Sequence, residues 1–168
     1  QPDRALEHYL ELYQGAPQEP LYAQLLEATY REAEQWGALD SWLQKHAESA
    51  ASRGLIAMLE LKRAELAFHH LDQADAGLEA LSVLARDAHV GRAARSVLVT
   101  IARQGAVDAS TGLSILRDVA DLASSTGDTW SEAEVIHARG LLEDDSVSQG
   151  QAFVRAASLL ANTAAPAE

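Results

Sequence analysis

Proline stands at positions 2, 17, 20 and 166, so residues 21–165 contain nothing that removes a backbone N–H from a helix or forces a kink. That stretch also has few β-branched runs and no useful alternation of apolar and polar residues, and it predicts an all-α chain. The expected helices are 3–14, 20–35, 38–52, 54–70, 74–85, 89–104, 110–124, 130–142 and 148–160. Pro2 and Pro20 fall in first turns, where a missing N–H costs nothing. Thr129 with Glu132 fits a capping box, and Gly105 and Gly127 stand just past helix ends, where a left-handed residue is wanted. Residues 124–128 form the clearest turn, and 162–168 read as a flexible tail after a helical domain over 1–161.

The stretch 20–50 reads as two helices closed on each other. Leu21, Leu25, Ala28 and Ala33 give the first an apolar stripe; after a break at Trp36 and Gly37, Ala38-Leu39 and Trp42-Leu43 begin the second. Variants of this second start recur as Ala5-Leu6 with Tyr9, Gly77-Leu78 with Leu81, Gly112-Leu113 with Leu116, and Ala152-Phe153 with Ala156, at intervals of 33 to 40 residues. A small side chain lets two helix axes approach, and the residue four later fills the groove beside it. Self-similarity at that period predicts an α-α superhelix, a solenoid of about four to five antiparallel helical hairpins.

Ala5, Tyr9 and Pro17 stand at the spacing of the small, aromatic and closing-proline positions in the second helix of a tetratricopeptide repeat, which this chain resembles. Leu25-Leu26, Ala28 and Tyr30 are similar to the first-helix positions of the next unit, with Ala38 and Trp42 at its second-helix positions. The resemblance is carried by motifs over roughly residues 1–50 and by architecture beyond them. Departures are an incomplete first-helix pattern, Gly at 77 and 112, and two stretched units. The resemblance implies a right-handed superhelix. Its phase also makes the helix around Ala5 the second half of a repeat, so further repeats are expected upstream.

Composition narrows the function. A chain of 168 residues with 48% hydrophobic residues can bury a substantial interior. The net charge of −12 repels a phosphate backbone, so nucleic acid is not the expected partner. No apolar run approaches the roughly 20 residues that span a bilayer, and no signal peptide is evident. Lack of cysteine removes disulfides and thiolate metal sites but leaves the compartment open between bacterial periplasm and cytoplasm. The bacterial assignment rests on a composition rich in Ala and in Arg over Lys.

No motif demands catalysis. Glu134 and His137 have E-x-x-H spacing, but a carboxylate-bridged di-metal site needs a second such pair, so a solvent-facing pair is expected and no metal or cofactor. His69 and His70 point about 100 degrees apart and suit the negative pole of a helix end. Neither a G-x-S-x-G elbow nor a glycine-rich phosphate loop occurs. Tyr9, Tyr22 and Trp42 sit at packing positions, whereas Tyr13, Tyr30 and Trp36 are candidates to anchor a partner.

In superhelices of this kind first helices line the concave wall. Gln24, Glu27 and Arg31 follow one polar stripe there, joined by Tyr30, and later first helices offer Arg63, Arg92, Arg95 and Arg103. The expected function is a non-catalytic scaffold that binds a protein or peptide through these residues; the resemblance associates it with bacterial envelope and export assemblies. The alternative is the helical-repeat sensor segment of a signalling or transcription-regulatory protein, reading a small ligand.

Overall fold

Some helices in this chain end where a residue turns left-handed, and several begin where a short polar side chain accepts an orphan amide. The computed structural model describes residues 2–17, 19–142 and 145–164. Among these the regular structure is all helical: α1 (Pro2–Gly15), α2 (Pro20–Glu32), α3 (Trp36–Ser49), α4 (Arg53–His70), α5 (Ala74–Leu84), α6 (Gly91–Arg103), α7 (Ala109–Thr126), α8 (Thr129–Leu141) and α9 (Ser146–Ala164). The expected tail at 162–168 thus begins as helix, and residues 165–168 lie outside those described.

Several boundaries carry a definite cap. Ser52 accepts from the Leu55 amide at 3.2 Å, and Asp108 accepts from the amides of Ser110 and Thr111 at 3.0 and 3.1 Å. Gly105 and Gly127 both adopt φ +67°, as expected from their positions. The α8 start differs from expectation: the cap is Asp128, whose carboxylate accepts from the Ser131 amide, and Thr129 is already the first helical residue. An ionised carboxylate is a stronger acceptor than a hydroxyl for the positive end of a helix. The break expected at Trp36 and Gly37 lies earlier, at Glu34 (φ 52°). There the amide of Gln35 donates to the Tyr30 carbonyl and that of Glu34 to the Arg31 carbonyl, the paired bonds of a left-handed helix terminus.

The chain divides into two compact units, Gln1–Gly77 and Leu78–Glu168. In the first, α1 packs on α2, α2 on α3 and α3 on α4. Its core holds Leu6, Leu26, Tyr30, Leu39, Trp42, Leu43, Leu59 and Leu66, each large aliphatic side chain contributing about 2 kcal/mol through burial. The α2 stripe is therefore Leu26, Thr29 and Tyr30, while Leu21 and Ala28, assigned to it from sequence, are exposed. Register along α2 is set by where α1 and α3 lie, which the helix's own periodicity does not specify.

In the second unit α6 packs on α7, α7 on α8 and α8 on α9, and α6 also meets α8. Contact between alternate helices as well as successive ones is the mark of stacked hairpins, so the all-α repeat packing expected from the period is present. The recurring small residues serve it in three of five places. A Cβ on Gly77 would lie 2.7 Å from the Phe68 amide nitrogen; Gly112 faces Ala102; and Ala152 lies where a Cβ on Gly140 would meet it at 2.6 Å. Ala38 is instead exposed. The residues one turn on, Trp42, Leu81, Leu116 and Ala156, are all buried.

Candidate functional site

Each unit has a cleft built by side chains on alternate helices. In the first unit the walls come from α2, with Ala23, Gln24 and Glu27, and from α4, with Leu55, Met58 and Lys62; Pro17 and Pro20 close one end. Trp42 and His46, one turn apart on α3, form the floor. The cleft holds about 320 Å³. Glu27 is its electrostatic pivot: one carboxylate oxygen accepts from Lys62 across the cleft, and the other takes Arg31 at 3.1 Å on its own helix. Burial holds the Glu65 carboxyl above its ordinary range, and the nearby Arg31 and Lys62 charges offset this only in part.

The floor is aromatic and polar at once. Tyr13 meets Trp42 edge-on at 5.7 Å and His46 edge-on at 5.4 Å, and Tyr30 lies 6.4 Å from Trp42. Two buried nitrogens in this cluster, Trp42 Nε1 and His46 Nδ1, have no hydrogen-bond partner among the described residues. Burial, reinforced by the nearby Lys62 charge, lowers the His46 pKa, so the ring is neutral at pH 7.

In the second unit a cleft of about 360 Å³ lies among α6, α8 and α9. Val99, Thr100 and Arg103 line it from α6, and Trp130, Ala133, Glu134 and His137 from α8; Phe153, Ala156 and Leu160 line it from α9. Glu134 Oε1 accepts from the Ser96 hydroxyl at 2.9 Å, while its Oε2 is buried with no partner among the described residues. The Glu134–His137 pair, expected to face solvent, is split: His137 is exposed and lies 5.0 Å from the Phe153 ring, but Glu134 is half-buried and bound to α6.

Comparison with protein-family models, curated proteins and solved structures finds no significant match to this chain.

The sequence-derived site residues scatter over these surroundings. Gln24 and Glu27 line the first cleft, and Arg31 is tied to it through Glu27. Tyr30 is buried in the core, so its ring is not an exposed anchor; Tyr13 and Trp36 are likewise packed, Trp36 stacking on His70 at 3.8 Å. Arg63 reaches α3, donating to Asp40 at 2.7 Å. Arg95 is 7% exposed and bonded on three sides, to Ser131, to the Ala85 carbonyl and to Asp128, which corrects its expected place on a basic groove. Arg92 lies 3.4 Å from the same carboxylate. Arg103 lines the second cleft, is exposed, and forms no hydrogen bond or ion pair among the described residues.

Sequence reasoning missed Lys62, Trp42 and His46 in the first cleft and Glu134 in the second. A signal was available. Glu27 and Lys62 are 35 residues apart, Arg95 and Asp128 33, and Ser96 and Glu134 38. These are the repeat intervals, so complementary groups one period apart mark contacts between stacked hairpins.

Among the described residues no three His, Asp or Glu side chains gather closely enough to hold a metal ion, and no helix is long and apolar enough to cross a membrane.

Proposed function

We propose that the chain is a non-catalytic, tetratricopeptide-like interaction module whose first cleft takes a peptide segment of a partner protein. The observation that carries this reading is the pair of orphaned nitrogens, Trp42 Nε1 and His46 Nδ1, buried at the floor of the cleft. Buried polar groups are almost always bonded, and an unmet donor costs about 1–3 kcal/mol. A peptide entering between α2 and α4 offers carbonyl oxygens to the Trp42 N–H. Its bulky apolar side chain fills the space between Ala23, Leu55 and Met58. The part-buried Glu27–Lys62 pair on the facing walls fixes the orientation of the bound segment.

Panning a displayed peptide library on the immobilised protein tests this. Enriched peptides are expected to share a bulky apolar residue and to lose binding at least about tenfold to Met58→Glu, which places a charge against the apolar anchor. Met58 is already 41% exposed, so the substitution leaves the fold intact. Absence of enrichment, or peptides indifferent to Met58→Glu, removes the proposal.

A further inference from the structure

The cleft of the second unit differs in chemistry from the first. Its anion and its cation line one space and do not pair with each other. Glu134 is held by Ser96 through one oxygen, leaving the other buried and unmet, and Arg103 has no partner among the described residues. Opposite charges free to meet would ordinarily pair in so small a space, and their separation has a structural cause.

Helices α6 and α8 run parallel, because their bonded pairs ascend together: Arg92 with Asp128, Arg95 with Ser131, Ser96 with Glu134. Arg103 stands seven residues beyond Ser96, or about 10 Å further along α6. The carboxylate and the guanidinium are therefore set apart along the cleft, Arg103 toward one end and Glu134 toward its middle, with Trp130 beyond it. Between them Val99, Ala133 and Phe153 give apolar wall, with Thr100 and His137 also lining the space.

Charge, length and volume together specify a ligand class. A molecule with an ammonium at one end, a carboxylate at the other and an apolar body satisfies both groups. An extended dipeptide spans at most about 7 Å, and the flexible Arg103 side chain closes the remainder. At about 30 Å³ per water-sized group, the cleft takes roughly a dozen heavy atoms, close to the size of a small apolar dipeptide. We propose that the α6–α8–α9 cleft binds a dipeptide with free termini and an apolar side chain, its ammonium on Glu134 and its carboxylate on Arg103. This stands apart from the peptide reading of the first unit, since it uses none of the same residues.

Calorimetric titration of the protein with leucyl-alanine, N-acetyl-leucyl-alanine, leucyl-alanine amide and free leucine tests it without any substitution. Leucyl-alanine is expected to bind, and acetylation or amidation to weaken it about ten- to hundredfold, the worth of one charge-assisted hydrogen bond. Free leucine, too short to reach both groups, should also bind at least about tenfold more weakly. Glu134→Gln, which keeps the Ser96 bond, and Arg103→Gln should each lower leucyl-alanine affinity by the same factor, whereas Met58→Glu should not change it. No binding of leucyl-alanine, or equal binding of the capped peptides, overturns the proposal. Tighter binding of leucine than of the dipeptide does so as well.

Discussion

Arg95 on α6 and Asp128 at the start of α8 meet at 2.6 Å, both buried, and that contact joins three parts of the second unit. The same guanidinium donates to the Ala85 carbonyl beyond α5, and the same carboxylate caps α8 through the Ser131 amide. Removing one member leaves the other charged and buried, and a loss of about 3–5 kcal/mol is expected for Arg95→Met. Arg92→Ala, removing an exposed cation from the same carboxylate, should cost less than about 1 kcal/mol. Urea denaturation of both variants checks the contrast; equal losses would show that the burial of Arg95 does not matter.

Acid should act through the same carboxyl. Burial pushes the Asp128 pKa up, but hydrogen bonds from Ser131 and Arg95 outweigh it and hold the group at about 2, against an ordinary 3.8. A folded value below the unfolded one gives stability that is full above about pH 4 and lost as pH falls through 2. Between pH 5 and 2 the protein should lose about 2 kcal/mol more than Asp128→Asn, which has no such proton to take up. Parallel pH profiles for the two proteins would contradict this.

The left-handed residue between α2 and α3 is a glutamate. Glu34 adopts φ 52°, where any Cβ costs about 1 kcal/mol, whereas glycine occupies the region freely. Glu34→Gly should raise the unfolding free energy by up to about 1 kcal/mol, visible as a shift in the thermal midpoint.

Two glycines should respond in opposite directions to alanine. At Gly77 a Cβ meets backbone atoms of α4 at 2.7 and 2.9 Å, so Gly77→Ala should cost about 1–3 kcal/mol as the helices part. Gly150 lies inside α9 with nothing within 4 Å, so Gly150→Ala should stabilise by about 1 kcal/mol through helix propensity. Chemical denaturation of the two variants measures both signs at once.

Legibility from sequence followed the range of the interactions concerned. Gly105 and Gly127 were readable because a helix C-terminus poses a local question that glycine answers. Leu21 and Ala28 were misassigned to the core because a helix rich in apolar residues offers more than one plausible stripe, and only its neighbours choose among them. Gln24 and Glu27 were placed on a cleft wall by their spacing along one helix. The roles of Lys62, Trp42 and Glu134 depended on residues about one repeat away.

The sequence by itself determined an all-α chain of helical hairpins, through its long proline-free stretch, its apolar periodicity and its recurring small residues. All of these act within a helix or between a helix and its successor. Tertiary structure decided which charges remain available. Of the arginines expected on a basic groove, it paired Arg63 with Asp40, set Arg92 beside Asp128 and buried Arg95 against it, leaving Arg103 without a partner among the described residues. The physical reason is that a buried cation must be neutralised where it lies, and the carboxylate that does so for Arg95 arrives from the next hairpin, 33 residues along the chain.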